Sequence, residues 1–154
     1  MKATIWIILG VLIVLLGLVY LLRIDRLPNL SEAICQPSDL GERYHRFNES
    51  STVTQPYVTE TVVESYMVTL IDHQLTNTML DCQIYRFQDA VAANRAFEDL
   101  CVNQVEANLK VGDERCAFAG NTPHNLAFRR NAYLVLMSTD MDSFPAEAVD
   151  KRLR

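Results

Sequence analysis

The chain is expected to be α+β, with an N-terminal transmembrane helix followed by an antiparallel sheet whose helices pack on one face. Residues 3–22, ATIWIILGVLIVLLGLVYLL, are twenty residues without a charge. Beyond them, runs rich in β-branched and aromatic residues come in pairs, each pair followed by a stretch with helical apolar spacing. Strands, helix, strands, helix is the order of an antiparallel sheet with segregated helices.

The first element has the length of a bilayer: a helix of twenty residues rises roughly 30 Å, the thickness of the hydrocarbon layer. A cleaved signal has a shorter apolar region, about 7 to 15 residues, and a small-residue cleavage site. Here Tyr20, Leu21, Leu22 and Arg23 follow instead. Trp6 and Tyr20 lie near the two ends of the run, where amphipathic rings favour the headgroup level. Gly10 and Gly17, seven apart, share nearly one helix face and offer a groove for another helix. Lys2 flanks one end, and Arg23 with Arg26, offset by Asp25, flanks the other, so charge barely orients the run. The cysteines of the remainder favour a cytoplasmic N-terminus and an extracytoplasmic domain.

Residues 1–26 are thus assigned to a signal anchor and its flank, and 27–154 to one extracytoplasmic α+β domain, with 23–30 as a tether. In LPNLSEAICQPSDLGERY, Pro28 and Pro37 permit only a short helix or turn. TETVVESYMVTLI and TMLDCQIYRF, separated by the polar DHQLTN, read as two antiparallel strands. Asp89 is a candidate N-cap for a helix whose apolar stripe is Ala93, Phe97, Leu100, Cys101 and Val105, ended by VGD. ERCAFAG, NLAFRR and AYLVLMST read as strands, the last two joined at Asn131, a residue that tolerates the left-handed conformation of a hairpin turn. FPAEAVDKRL reads as a closing helix. No internal repeat or low-complexity segment is visible.

The chain carries a net charge of −5; setting aside Lys2, Arg23, Arg26 and Asp25, together +2, leaves the domain near −7. Such a domain suits neither phosphate backbones nor anionic lipid surfaces, and no nucleic-acid partner is expected. Arg129 and Arg130 read as a solvated hairpin end.

Cys35, Cys82, Cys101 and Cys116 are separated by 47, 19 and 15 residues, spacings that contain no C-x-x-C pair and no haem-attachment motif. Either four free core thiols or two structural disulfides remain. For disulfides, a helix running about 12 Å from Cys101 to Leu109 and a strand returning about 10 Å would bring Cys101 level with Cys116. Cys35 is then left to Cys82.

His45, His73 and His124 have no second ligand at helical or hairpin spacing, so no metal site is expected. Ser31, Ser50, Ser65 and Ser138 lack a G-x-S-x-G setting, and no glycine-rich phosphate loop occurs. Asp113 and Glu114 are adjacent, and neighbouring strand residues point to opposite faces, so they read as a turn and not as a converging catalytic pair. No catalytic residue, cofactor or metal is expected.

The stretches ICQPSDLGERYHRF, CQIYRFQDAVAANRAFEDL, VGDERCAF, NLAFRRNAYLVLM and FPAEAVDKRL, covering about residues 32–153, resemble the small extracytoplasmic α+β domains of bacterial lipoproteins and of single-pass bacterial sensor kinases. The resemblance implies a fold more than an activity. With two residues before the apolar run, no cytoplasmic kinase is expected, which argues against autonomous signalling.

The functional expectation is a non-catalytic, single-pass accessory subunit in a bacterial cell membrane. Its helix and domain surface would contact other membrane subunits and the bilayer, with an electron-transfer complex as the expected host. The alternative is an extracytoplasmic ligand-binding or sensor module. A polar-lined pocket would favour the module, and a broad apolar patch the subunit.

Overall fold

The computed structural model describes residues 28–53, 58–74, 78–118 and 122–154. Helix α1 spans Leu30–Ala33, and a 3₁₀ turn follows at Pro37–Asp39. Strands β1 (Tyr44–Ser50), β2 (Val62–Asp72) and β3 (Met79–Phe87) precede helix α2 (Ala90–Cys101). Strands β4 (Glu114–Ala117), β5 (His124–Arg130) and β6 (Tyr133–Thr139) then lead to helix α3 (Ala146–Arg152). The six strands form one antiparallel sheet in the order β1-β2-β3-β6-β5-β4.

Alternation along the strands divides the apolar residues between two faces. Val68, Leu70, Leu80, Cys82, Ile84, Leu126, Phe128, Val135 and Met137 point to one, where they pack with Leu30 and Ile34 and with Ala146, Val149 and Leu153 of the α3 segment. Tyr85, Phe87, Ala127, Leu134 and Leu136 point to the other and meet Ala93, Ala96 and Phe97 of α2. This corrects the expected fold. Helices cover both faces, because β6 is apolar on both sides and β3 adds Tyr85 and Phe87 to the second, so each side needs a cover. The expected transmembrane helix is likewise no part of the described architecture: among the described residues no helix is long and apolar enough to cross a membrane. Trp6, Gly10, Gly17 and Tyr20 lie outside the described residues.

Two further readings change. β1 is a strand that the sequence reading passed over, its YHRFNES being polar and broken by a bulge between Arg46 and Asn48. Helix α2 begins as expected, with Asp89 Oδ1 accepting from Ala92 N at 2.8 Å, but ends at Cys101. Asn103 turns the chain at φ 59°, and Val105, expected on the buried stripe, is 76% exposed and bridges to Ala117.

The cysteines are joined Cys35–Cys82 and Cys101–Cys116, each pair with Cα atoms 6.1 Å apart. The first fixes the segment after α1 to a central strand, and the second fixes the end of α2 to edge strand β4. Two disulfides accord with an oxidising, extracytoplasmic setting.

Candidate functional site

Residues drawn from four stretches of chain enclose a cleft of about 600 Å³ at the β4–β5 corner. Its sheet side is Ala117 and Leu126, register partners on neighbouring strands. Ala107 and Leu109, from the strap that follows α2, form one wall. Phe144, from the connection into α3, forms part of another, and Phe118 and Pro123 complete the apolar lining. Polar groups stand among them: Glu106, Asn108, His124, Asn125, Asp142 and Ser143. An apolar basin with a few convergent polar groups, within the 300–1,000 Å³ range of small-molecule sites, is the usual form of a binding pocket.

The polar groups differ in how far the protein already uses them. Asn125 is nearly buried, and both ends of its amide are occupied: Nδ2 donates to Thr122 O at 2.8 Å, and Oδ1 accepts from Thr122 Oγ1 at 2.8 Å. Glu106 holds Arg115 at 2.9 Å. Asp142 is fully exposed, and its Oδ1 stands 3.7 Å from His124 Nε2, beyond hydrogen-bonding distance. Ser143 lines the same cleft, so serine, histidine and aspartate occur together here. They do not form a nucleophilic triad, since His124 holds no hydrogen bond from Ser143 and is not held by Asp142.

At the corner formed by β1 and β2, the rings of His45 and His73 stack with centroids 3.9 Å apart and planes 17° from parallel. Sequence spacing missed this pair, because the β1–β2 register that joins them depends on recognising β1. His73 N donates to Arg43 O at 2.9 Å, and Asp72 faces Arg43 at 3.5 Å. No group of three metal-ligating side chains gathers here or elsewhere among the described residues.

The opposite end of the sheet carries the charges that the sequence singled out. Asp113 and Glu114 do converge, though on an arginine: Arg129 donates to Asp113 at 3.2 Å and to Glu114 at 2.8 Å. Arg130 donates to Asp113 at 2.7 Å and, through Nε and Nη2, to both carboxylate oxygens of Asp150 at 2.6 and 2.8 Å. The two arginine side chains are only 14% and 18% exposed, so this hairpin end is not the solvated one expected. Burial alone would raise the Asp150 pKa, but hydrogen bonds from Arg130 and Arg154 outweigh it and hold the carboxyl below its ordinary value. The Asp150 hydrogen bond correspondingly pushes Arg130 up.

No protein-family model, curated protein or solved structure matches this chain.

Proposed function

We propose that this protein is a non-catalytic, extracytoplasmic ligand-binding module, and that its ligand occupies the β4–β5 cleft. The observation that carries the reading is a ligand-sized basin with a mostly apolar lining and an unspent carboxylate at Asp142. The charge network at the other end supports it by contrast, since those side chains are committed to one another. The two disulfides support an extracytoplasmic location and with it a cytoplasmic N-terminus, and the uncharged run of residues 3–22 supports attachment to a bacterial membrane. Protease protection in sealed cells checks the side; a domain shielded within the cytoplasm would overturn the location.

The cleft is tested by filling it. In the full chain, Ala117→Trp should abolish thermal stabilisation by compounds found in a small-molecule screen. Stabilisation that survives in the Trp variant would place binding elsewhere.

A second reading, an accessory subunit of a larger membrane assembly, draws on Phe47, which sits 68% exposed at the bulge of edge strand β1. It further draws on Gly10 and Gly17 in the apolar run. Gly10→Leu with Gly17→Leu should then reduce co-purification with membrane partners, and unchanged co-purification would remove this reading.

A further inference from the structure

We infer that the β4–β5 cleft selects a cation with an apolar body: an aromatic or aliphatic group carrying an amine. This rests on the cleft being the binding site and goes further by naming the ligand's chemistry.

Among the described residues no lysine or arginine lines the cleft, whereas two carboxylates do. Glu106 is neutralised by Arg115, whose Nε also donates to Ala107 O at 3.1 Å and so ties the strap to β4. Asp142 faces no arginine among the described residues, and its basic neighbour, His124 Nε2, stands 3.7 Å away, beyond hydrogen-bonding distance. An ammonium at the mouth would meet an acceptor that holds no hydrogen bond among the described residues. A carboxylate or phosphate ligand would instead enter beside Asp142 and Glu106, with no lining lysine or arginine to receive it. The remaining wall favours the same choice: Phe118 and Phe144 present aromatic rings, which attract cations over their faces, and Leu109, Leu126 and Pro123 take up an apolar body. The chain's net charge of −5 draws cations toward the domain and repels anions before contact.

The same chemistry has two sources, a free amine or the lysine side chain of a peptide. Calorimetric titration of the full-length chain in detergent separates the possibilities. The probes are phenethylamine, the neutral 2-phenylethanol, the anionic 3-phenylpropionate, and a blocked Phe-Lys dipeptide. Protein-free micelles of the same detergent serve as the blank for partitioning. Phenethylamine should bind about three- to fivefold more tightly than 2-phenylethanol, as an exposed carboxylate allows, 3-phenylpropionate should give no saturable heat, and Asp142→Asn should reduce the amine to the alcohol's affinity. Tighter binding of the dipeptide than of the amine supports the same chemistry and assigns a peptide source; weaker binding supports it and assigns a free amine. Equal binding of amine and alcohol overturns the cation inference and leaves the cleft as a site. Saturable binding of none of the four overturns both.

Discussion

At the hairpin end of the sheet, Arg129 and Arg130 meet Asp113, Glu114 and Asp150 within 3.2 Å, whereas at the cleft end His124 and Asp142 stand 3.7 Å apart. Both ends use charged side chains from the same sheet. At the hairpin, Asp150 is gripped by the Arg130 fork, Asp113 is shared by Arg129 and Arg130, Glu114 accepts from Arg129, and Asp113 also caps the turn by accepting from Asn131 N at 2.8 Å. Asp142 at the cleft has neither a fork nor burial. Shielded and cross-linked charges hold a fold in register, while an open carboxylate beside an apolar basin contributes little to stability and is left for a ligand.

The contrast can be broken most forcefully at Asp150. Its side chain is 2% exposed, and Asp150→Ala strips the forked partner from Arg130. Urea denaturation should show a loss of about 2 to 3 kcal/mol, somewhat under the cost of uncovering a fully buried charge, because Asp113 still faces Arg130. A loss under about 0.5 kcal/mol, the range of ordinary surface substitutions, would mean that the hairpin end is no more committed than the cleft end.

Next in size is Gly112, which adopts φ 65° beneath the network; a Cβ there would lie 2.5 Å from Arg129 O. Gly112→Ala should lower stability by about 2 kcal/mol through strain and displacement of Arg129. The measurement is again the denaturation midpoint, and a neutral result would show that the turn relaxes freely.

Acid sharpens the comparison. Because Asp150 titrates below its unfolded value, its contribution is present above the ordinary aspartate pKa of about 3.9 and is lost as pH falls through the folded value. The stability gap between wild type and Asp150→Asn should therefore be full at pH 6 and shrink in increasingly acidic buffer. A gap that widens with acid would reverse the assigned sign.

Smallest is Asp142→Asn. Its carboxylate is fully exposed, so stability should change by less than about 0.5 kcal/mol even as amine binding is lost. A larger change would show that Asp142 belongs with the structural charges.

These elements were unequally legible in the sequence. β2, β3 and the β5–β6 hairpin declare themselves through β-branched and aromatic runs, and Asn131 takes φ 50° at the hairpin turn. β1 does not, since an edge strand with a bulge can be polar on both sides. The helix stripe looks longer in the sequence than it is, because Val105 falls at the right spacing although Asn103 has already turned the chain. Coverage of both faces does have a sequence signal: YLVLM in β6 is continuously apolar, the mark of a strand buried on two sides. The arginine network was hidden for a different reason, since side chains on opposite strand faces still meet when one of them sits in a turn, as Asp113 does. The cleft had no linear signature, for its walls come from residues 106–109, 117–118, 123–126 and 142–144, which only the sheet brings together.

The Cys35–Cys82 disulfide has a mechanical consequence. A chain pulled from its N-terminal side passes tension at Cys35 directly across the sulfur bridge into β3, so the 3₁₀ turn, β1 and β2 form a slack loop that bears no load. Cys101–Cys116 shunts the strap in the same way. Arg152, bonded to Ala33 O, Ile34 O and Asp39, adds a second line of force from the N-terminal segment into α3. Stretched to rupture, the oxidised domain would extend on the order of 200 Å less than the reduced one, because the two bridged loops cannot pay out.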